Sequence, residues 1–273
     1  MTSAASRATA GQRTWRRPPV LIPDRRWRIA IYGGALIYLV AALATVDVDW
    51  MRVMEGMDRA GRFIQGFLVP DFTTRAGDIW KGFEESLTMT VCATVVGILL
   101  SVPVGIGAAR NIAPMPVYAV CRAIIAVSRA FQEIVIAILF VAMFGFGPFA
   151  GFLTLSFATI GFLAKLLAED IEDIDEAQAE AIRATGASWW QLVNYGIQPQ
   201  VMPRLIGLSL YRFDINFRES AVIGIVGAGG IGATLNTSMQ RYDYDTAGAI
   251  LILIIIVVML AEYGSSYIRK WVQ

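Results

Sequence analysis

Long runs without a charged residue constrain this chain most strongly. Residues 29–46, 86–109 and 134–164 contain no Asp, Glu, Lys or Arg. An α-helix needs about 20 consecutive apolar residues to cross a bilayer, and each run is close to or above that length. The composition agrees, since 56% of the residues are hydrophobic and 16% are charged, whereas about 25% are charged in soluble domains. The sequence therefore predicts an all-α integral membrane protein.

The number of spans follows from the breaks in this pattern. Gly145 and Gly147-Pro148 interrupt the third run, which predicts two helices that meet at a turn. Two further stretches follow, one after Pro203 and one from Thr246. We predict six transmembrane helices, at about 29–46, 86–109, 117–146, 148–168, 204–226 and 246–267. A cleaved signal peptide is the alternative for the first, although its apolar run is longer than usual for such a peptide.

The distribution of basic residues predicts the orientation in the membrane. Residues 1–28 form a basic tail that carries seven of the 23 Lys and Arg residues. Basic flanks stay on the cytoplasmic side, so we expect the N-terminus there and, after six spans, the C-terminus as well. The segment 169–203 is then cytoplasmic. The segment 47–85 lies outside and is expected to include a short amphipathic surface helix.

Several classes of chemistry are excluded by what the sequence lacks. There is no histidine, so catalysis by a Ser-His triad and histidine metal sites are ruled out. Cys92 and Cys121 are too few for a disulfide scaffold and do not have the spacing of a metal site. A net charge of +1 gives no reason to expect nucleic-acid binding. The sequence G-x-x-x-x-G-K-[ST] does not occur, so this chain cannot bind ATP by a P-loop.

The segment 169–203 has the pattern of two short helices joined by a turn. Residues 176–185 favour a helix, with acids in its first turn, and Gly186 is placed to terminate it. Ser188 and Gln191 form a capping box at the start of a second helix. Gly196 and Pro199 are predicted to close that helix. The product is a helix-turn-helix elbow, which by these residues alone could also be an ordinary amphipathic connector.

The elbow resembles a known motif. Glu180-Ala181, then Gly186 and Pro199, resemble the EAA loop of ABC importer permeases in residue type and spacing. The stretches 69–72, 108–111 and 210–216 look like the phosphonate-type branch of that family, and the resemblance covers about residues 65–268. Two positions depart from it, since Gly196 and Gln198 stand where the broader pattern has isoleucine and leucine. This departure predicts weaker packing inside the second short helix.

The resemblance implies a fold, a function and partners. The fold would be that of a type I ABC importer permease, with residues 169–203 as its cytoplasmic coupling loop. The chain would be a bacterial inner-membrane permease, not an enzyme, that forms the path for phosphonate or a related phosphorus oxyanion. Its partners would be a second copy of itself, a cytoplasmic ATPase dimer that binds ATP and Mg²⁺, an extracytoplasmic phosphonate-binding protein and membrane lipid.

Other functions remain open at this point. The nearest is a permease for methionine or a quaternary amine. An integral-membrane enzyme would need a convergent acid or metal cluster, which the acidic segment 169–180 does not supply. An ATP-independent carrier would more often show duplicated halves, which the sequence lacks.

Charged residues inside the predicted spans are candidates for the translocation path. Arg129 and Glu133 are four residues apart, as are Asp214 and Arg218, so each pair could neutralise itself on one helix face. Arg212 lies beside the second pair. These residues either hold helices together as structural ion pairs or offer a transient cationic surface to an anionic substrate.

A glycine-rich segment follows the fifth predicted span. Gly227, Gly229, Gly230 and Gly232 satisfy the G-x-G-x-x-G pattern of dinucleotide-binding folds. Such a fold needs a following soluble helix and a ribose-binding acid, whereas residues 246–261 are uncharged and membrane-like. We expect an irregular segment buried in protein or lining a cavity. By the resemblance, this segment would lie near the external gate.

Overall fold

A computed structural model describes residues 24–45 and 49–272. Within these residues every regular element is helical, as predicted. Residues 1–23 of the predicted basic tail lie outside the described residues, and the first helix already begins at Arg25. The helices are α1 Arg25–Ala44, α2 Trp50–Leu68, α3 Ala76–Gly107, α4 Met115–Ala130, α5 Glu133–Phe144, α6 Pro148–Glu172, α7 Glu176–Ala184, α8 Trp189–Gln191, the π-helical stretch Leu192–Ile197, α9 Gln198–Ile225, α10 Gly230–Gln240 and α11 Tyr244–Val272.

The chain divides into two compact units, Met1–Arg59 and Ala60–Gln273, and α2 begins in the first and ends in the second. In the first unit, α1 has no buried residue, and from Ile29 onward it is apolar on all sides. A helix with this composition is typical of a membrane span that faces lipid.

Five helices among the described residues are long and apolar enough to cross a membrane. The number is six if the bent pair α4 and α5 counts as one span, which agrees with the six predicted. Several helices run past the predicted bounds. Helix α3 begins at Ala76 rather than residue 86, because a helix can continue beyond the apolar layer with charged residues such as Asp78 and Lys81.

In the second unit, α3 and α6 pack closely along their length through small residues. A Cβ atom on Gly97 would overlap the side chain of Thr159, and one on Gly105 would lie 2.9 Å from Leu167 Cδ2. Small residues at such contacts let two helix backbones approach within a membrane, where dispersion rather than water exclusion holds helices together. Helices α9 and α10 complete the core around this pair.

The prediction of one continuous helix over 117–146 is wrong. Helix α4 ends at Ala130, Phe131 and Gln132 are extended, and α5 departs at 94°. The two sides of the break have different partners. Ser128 donates a hydrogen bond to the carbonyl of Phe157 on α6 at 2.7 Å, whereas Glu133 is bound by α9. Tertiary contacts therefore set this break, and no proline or glycine marks it in the sequence.

The connection between α2 and α3 is a turn organised by Asp71. Its carboxylate accepts hydrogen bonds from the hydroxyls and the backbone N–H groups of Thr73 and Thr74. These bonds, first those from the two threonine side chains, hold the pKa of Asp71 well below its usual range, because they favour the charged form. The backbone N–H of Asp71 also donates to the carbonyl of Asp245 at 3.2 Å, which fixes the turn to the start of α11.

Candidate functional site

The first half of the elbow is helix α7, and its ends are formed by local chemistry. Asp175 caps the N-terminus, where its carboxylate accepts a hydrogen bond from the N–H of Ala177 at 3.1 Å. After Thr185 the chain reverses at Gly186, whose φ is +79°. This left-handed conformation carries little strain for glycine and is strained for other L-residues. The predicted terminator glycine is therefore confirmed.

The second half of the elbow differs from the prediction. Ser188 donates its N–H to Gln191 Oε1 at 2.8 Å, so the expected cap forms. Gly196 and Pro199, however, do not end the helix, because α8 continues through the π-helical stretch directly into α9. Pro199 is the second residue of α9 and lies inside this helical run. The elbow and the following span are thus one uninterrupted helical element.

Gly196 also packs more tightly than the resemblance suggested. It is buried, and a Cβ atom there would lie 3.2 Å from Leu192 Cδ1 and 3.6 Å from the Cα of Ala179. The glycine therefore allows α7 to contact the π-helical stretch closely. Leu192 and Ala179 belong to a buried cluster that includes Leu167 and Ile171 of α6, so the elbow is seated on the end of that span.

The predicted coupling residues lie on the outer surface of this seated elbow. Glu180, Ala181, Gly186 and Pro199 are all exposed. Behind them, Trp189 donates its indole N–H to the carbonyl of Ile112 at 3.1 Å, which ties the elbow to the loop between α3 and α4. The four coupling residues are therefore open to a partner, while Trp189 behind them is held in place by its hydrogen bond.

A buried polar network crosses the bundle at Arg212 of α9. The Arg212 side chain is 4% exposed. Its Nε donates to Thr159 Oγ1 of α6 at 3.1 Å, its Nη2 donates to Glu133 Oε1 of α5 at 2.8 Å, and its guanidinium carbon lies 5.5 Å from the centre of the Phe162 ring. Asn216, one helical turn further, donates to Thr159 Oγ1 and to Thr94 Oγ1 of α3. Four helices are joined by this network.

The predicted charge pairs are only partly formed. Arg129 and Glu133 do not form the predicted pair, because the break after α4 separates them and Glu133 binds Arg212 instead. Arg129 is exposed, packs beside Gly161 of α6, and makes no ion pair with any described residue. Arg218 and Asp214 do pair as predicted, and 51% of the Arg218 side chain is exposed against 8% of the Asp214 side chain.

The glycine-rich segment is an irregular turn between α9 and α10. Gly227, Gly229 and Gly230 have positive φ angles of 96°, 76° and 73°. Gly232 lies in α10, where a Cβ atom would overlap the carbonyl oxygen of Ala221, so the two helices cross at backbone contact. Because residues before the turn are helical, the strand required by a dinucleotide-binding fold is not present here.

This turn is held by residues from other helices. The N–H of Gly230 donates to Glu85 Oε2 at 3.1 Å, and the N–H of Ile231 donates to Ser86 Oγ at 2.9 Å. Gly147, just before α6, donates its N–H to the carbonyl of Gly227 at 3.0 Å. The turn therefore connects α3, α6, α9 and α10 at one end of the bundle.

Comparison with known proteins identifies the family. The model of the binding-protein-dependent transport system inner membrane component matches residues 101–270, which is more than half of the chain. The chain belongs to this family. The permease is 39% identical over 248 residues to the phosphate-import permease protein PhnE of Mycolicibacterium smegmatis, covering 90% of this chain and 47% of that one. It thus spans about half the length of that relative.

Further relatives agree in fold and in family. The permease is 35% identical to the phosphite transport system permease protein PtxC of Stutzerimonas stutzeri, over 89% of its own length and 90% of that protein. A structure of the MetNI methionine ABC transporter in an inward-facing conformation matches with a TM-score of 0.62 and 25% identity, covering 71% of this chain and 94% of that chain. The chain is a multi-pass inner-membrane permease subunit of an ABC importer and has the type I fold; it is not the ATPase.

Within the permease, the structure adds residues that sequence reasoning missed. Thr94, Thr159 and Asn216 are buried and complete the network around Arg212, and Glu85 and Ser86 bind the glycine turn. The signal that could have found the first three is their polarity inside predicted spans, where an unsatisfied polar group is costly. Polarity alone does not say which partner each of them binds.

Proposed function

We propose that this permease forms the translocation path for phosphonate or a related phosphorus oxyanion, such as phosphite or phosphate. The observation that carries the proposal is the exposed arginine Arg218, which is set in a span and forms its ion pair with Asp214. An anion that crosses a region of low dielectric is stabilised by such a cation. Similarity to permeases named for phosphate and phosphite import supports the choice of substrate.

The arginines of the spans differ in their availability to a substrate. Arg212 is buried and donates hydrogen bonds to Thr159 and Glu133, so we assign a structural role to Arg212 together with Glu133. Arg129 and Arg218 are exposed, and we propose that they line the path. The pairing of Arg218 with Asp214 keeps the guanidinium from holding an anion too tightly, since conduction requires release as well as binding.

We further propose how the permease is assembled. Two copies form the path along a two-fold axis, and both termini are cytoplasmic. A cytoplasmic ATPase dimer, which binds ATP and Mg²⁺, docks on the exposed elbow surface of Glu180, Ala181, Gly186 and Pro199. An extracytoplasmic phosphonate-binding protein delivers the substrate at the end where Gly227, Gly229, Gly230 and Gly232 form the gate. External labelling of a single cysteine placed at residue 180 would contradict this topology.

Uptake by the reconstituted complex tests the substrate. The permease is assembled in liposomes with its ATPase and binding protein, and uptake of phosphonate, phosphite and phosphate is compared with that of methionine and glycine betaine. We expect ATP-dependent uptake of at least one phosphorus oxyanion and none of the other two compounds. Methionine uptake would favour the alternative suggested by the likeness to the methionine transporter, and uptake without ATP would contradict the importer mechanism.

A further inference from the structure

Two apolar cavities adjoin where the elbow meets α3. The larger, of about 400 Å³, lies between the end of α3, the start of α4 and the elbow. The smaller, of about 260 Å³, lies between α3, α6, the π-helical stretch and α9. Val102 and Ile106 of α3 and Trp190 of the elbow are walls of both cavities. We name the two adjoining cavities the elbow crevice.

The larger cavity of the elbow crevice has an apolar lining. The described residues that line it include Pro103, Ala113 and Val117, and none of them has a charged, hydroxyl or amide side chain. The indole N–H of Trp189, which also lines it, is donated to the carbonyl of Ile112. A polar ligand would leave its hydration shell here and find few partners in return, which is costly. The crevice therefore fits a hydrocarbon.

The elbow crevice lies at the edge of the apolar layer of the spans. Its α3 wall belongs to the uncharged run 86–109, which ends at Arg110. Val117 belongs to the first turn of α4, on the other side of the same loop. The side chain of Trp190 is exposed, and tryptophan prefers the interface between membrane and water. Acyl chains of the bilayer reach this level.

Exposed apolar faces of α3 and α4 continue the crevice along the two helices. Residues three and seven positions before Val102, and three and seven positions after Val117, lie on the same helix faces as these two valines. They are between 41% and 67% exposed, and they are Leu99, Val95, Val120 and Ile124. In an inner-membrane permease, such uncharged outer faces of spans contact lipid. The crevice is thus an inward extension of a lipid-facing surface.

We propose that the elbow crevice binds an acyl chain of a membrane phospholipid. This is a defined site, distinct from the general contact of the spans with lipid, and through Trp190 the bound chain touches the elbow as well as α3. The ATPase is a poorer match for the crevice, because the crevice lies against the spans and lacks the charge of the elbow surface around Glu180. The inference does not depend on which substrate the permease carries.

Photo-cross-linking with a lipid identifies the occupant of the crevice. The full permease, assembled with its ATPase, is reconstituted into liposomes of phosphatidylethanolamine and phosphatidylglycerol that contain phosphatidylethanolamine with a diazirine on one acyl chain. The liposomes are fused with excess unlabelled liposomes, illuminated, and analysed by mass spectrometry of peptides. We expect cross-links at Val102, Ile106 and Trp190 to survive this exchange, and those at Val95 and Val127 to be lost.

Two valines of α4 provide matched variants. Val117 lines the crevice, whereas Val127 lines neither cavity, and the two are 45% and 54% exposed. Val117→Trp fills the crevice and should abolish the persistent cross-links. Val127→Trp adds the same side chain to the outer surface of the same helix and should keep them.

Trp190 supplies a second variant, so that the test does not depend on the folding of Val117→Trp. Trp190→Ala removes a wall that both cavities share and should weaken retention of the labelled lipid. Trp80→Ala removes a tryptophan of similar exposure near the opposite end of α3 and should leave retention unchanged.

Three results would overturn the inference. Cross-links at Val102 and Ile106 that exchange as completely as those at Val95 would mean ordinary lipid contact only. Persistent cross-links that are unchanged in Val117→Trp and Trp190→Ala would place the lipid elsewhere. A photoreactive amino acid at position 117 that captures the ATPase or a second copy of the permease, and no lipid, would assign the crevice to that partner.

Discussion

Arg212 of α9 donates a hydrogen bond to Glu133 at the first turn of α5, and the two residues are 79 positions apart in the sequence. The pair connects the helix after the sharp bend to the core of the bundle. It also removes Glu133 from Arg129, which leaves Arg129 as an exposed cation. One buried pair therefore fixes both the path of the chain and the distribution of charge.

Removing one member of this pair should destabilise the permease more than removing both. Arg212→Met leaves the Glu133 carboxylate without its cation, which costs about 3–5 kcal/mol for a buried pair. The double variant Arg212→Met/Glu133→Gln should recover part of this loss, because the Glu133 side chain then carries no charge that lacks its partner. Thermal unfolding of the purified permease in detergent measures both changes.

The exposed pair of Arg52 and Asp49 supplies the control, since Arg52→Met should change the stability by less than about 0.5 kcal/mol. A double variant at Arg212 and Glu133 that is as unstable as Arg212→Met alone would contradict the role of the ion pair.

The elbow should depend on the backbone conformation of Gly186 and not on the space around it. No atom lies within 4 Å of a Cβ built there, so only the positive φ opposes a side chain. Gly186→Val should cost about 1–2 kcal/mol locally and impair coupling to the ATPase. Gly186→Asn should keep coupling, because asparagine tolerates this conformation. Substrate-stimulated ATP hydrolysis by the assembled complex is the measurement, and equal rates for wild type and Gly186→Val would refute the assignment.

Arg218 should act on transport separately from its structural pairing. Arg218→Gln is expected to lower uptake about tenfold, which corresponds to about 1.4 kcal/mol in the barrier. The double variant Arg218→Gln/Asp214→Asn leaves no buried unpaired carboxylate, so assembly should recover while uptake stays low. Arg129→Gln should also lower uptake. If both arginine variants assemble and transport at the wild-type rate, neither residue lines the path. Arg52→Gln is the control, because it removes an arginine outside the predicted spans and should leave uptake unchanged.

Two glycines separate the cost of backbone strain from the cost of a steric contact: Gly229 in the glycine turn and Gly145 at the end of α5. Gly229 and Gly145 both have positive φ, at 76° and 87°, but a Cβ on Gly229 would lie 2.6 Å from the nitrogen of Pro148, whereas Gly145 has no atom within 4 Å. Gly145→Ala should therefore cost about 1 kcal/mol from conformation alone, and Gly229→Ala clearly more. Unfolding midpoints in detergent compare the two. Equal losses of stability in the two variants would mean that the close approach of Gly229 to Pro148 does not add to the cost of the side chain.

The sequence predicted those features that depend on neighbouring residues or on the bilayer. Hydropathy located the spans, because every residue in lipid is subject to the same solvent. Capping chemistry located α7 and Gly186, because the bonds involved reach only three or four residues. The bend after Ala130 and the pairing of Arg212 with Glu133 were not predictable in this way, since they require contacts between distant helices. The same holds for Asn216, whose partners are on α3 and α6.

The continuity of α8, the π-helical stretch and α9 has a mechanical consequence. From Trp189 to Ile225 the backbone is helical without a loop, and the π-helical stretch and Pro203 lie inside this run. Because no loop separates the elbow from the turn at Gly227, a tilt applied at the elbow is passed on along the same helical element. The π-helical stretch and Pro203 interrupt the regular α-helical hydrogen bonding, so they are the places where this element can bend and lose part of the motion.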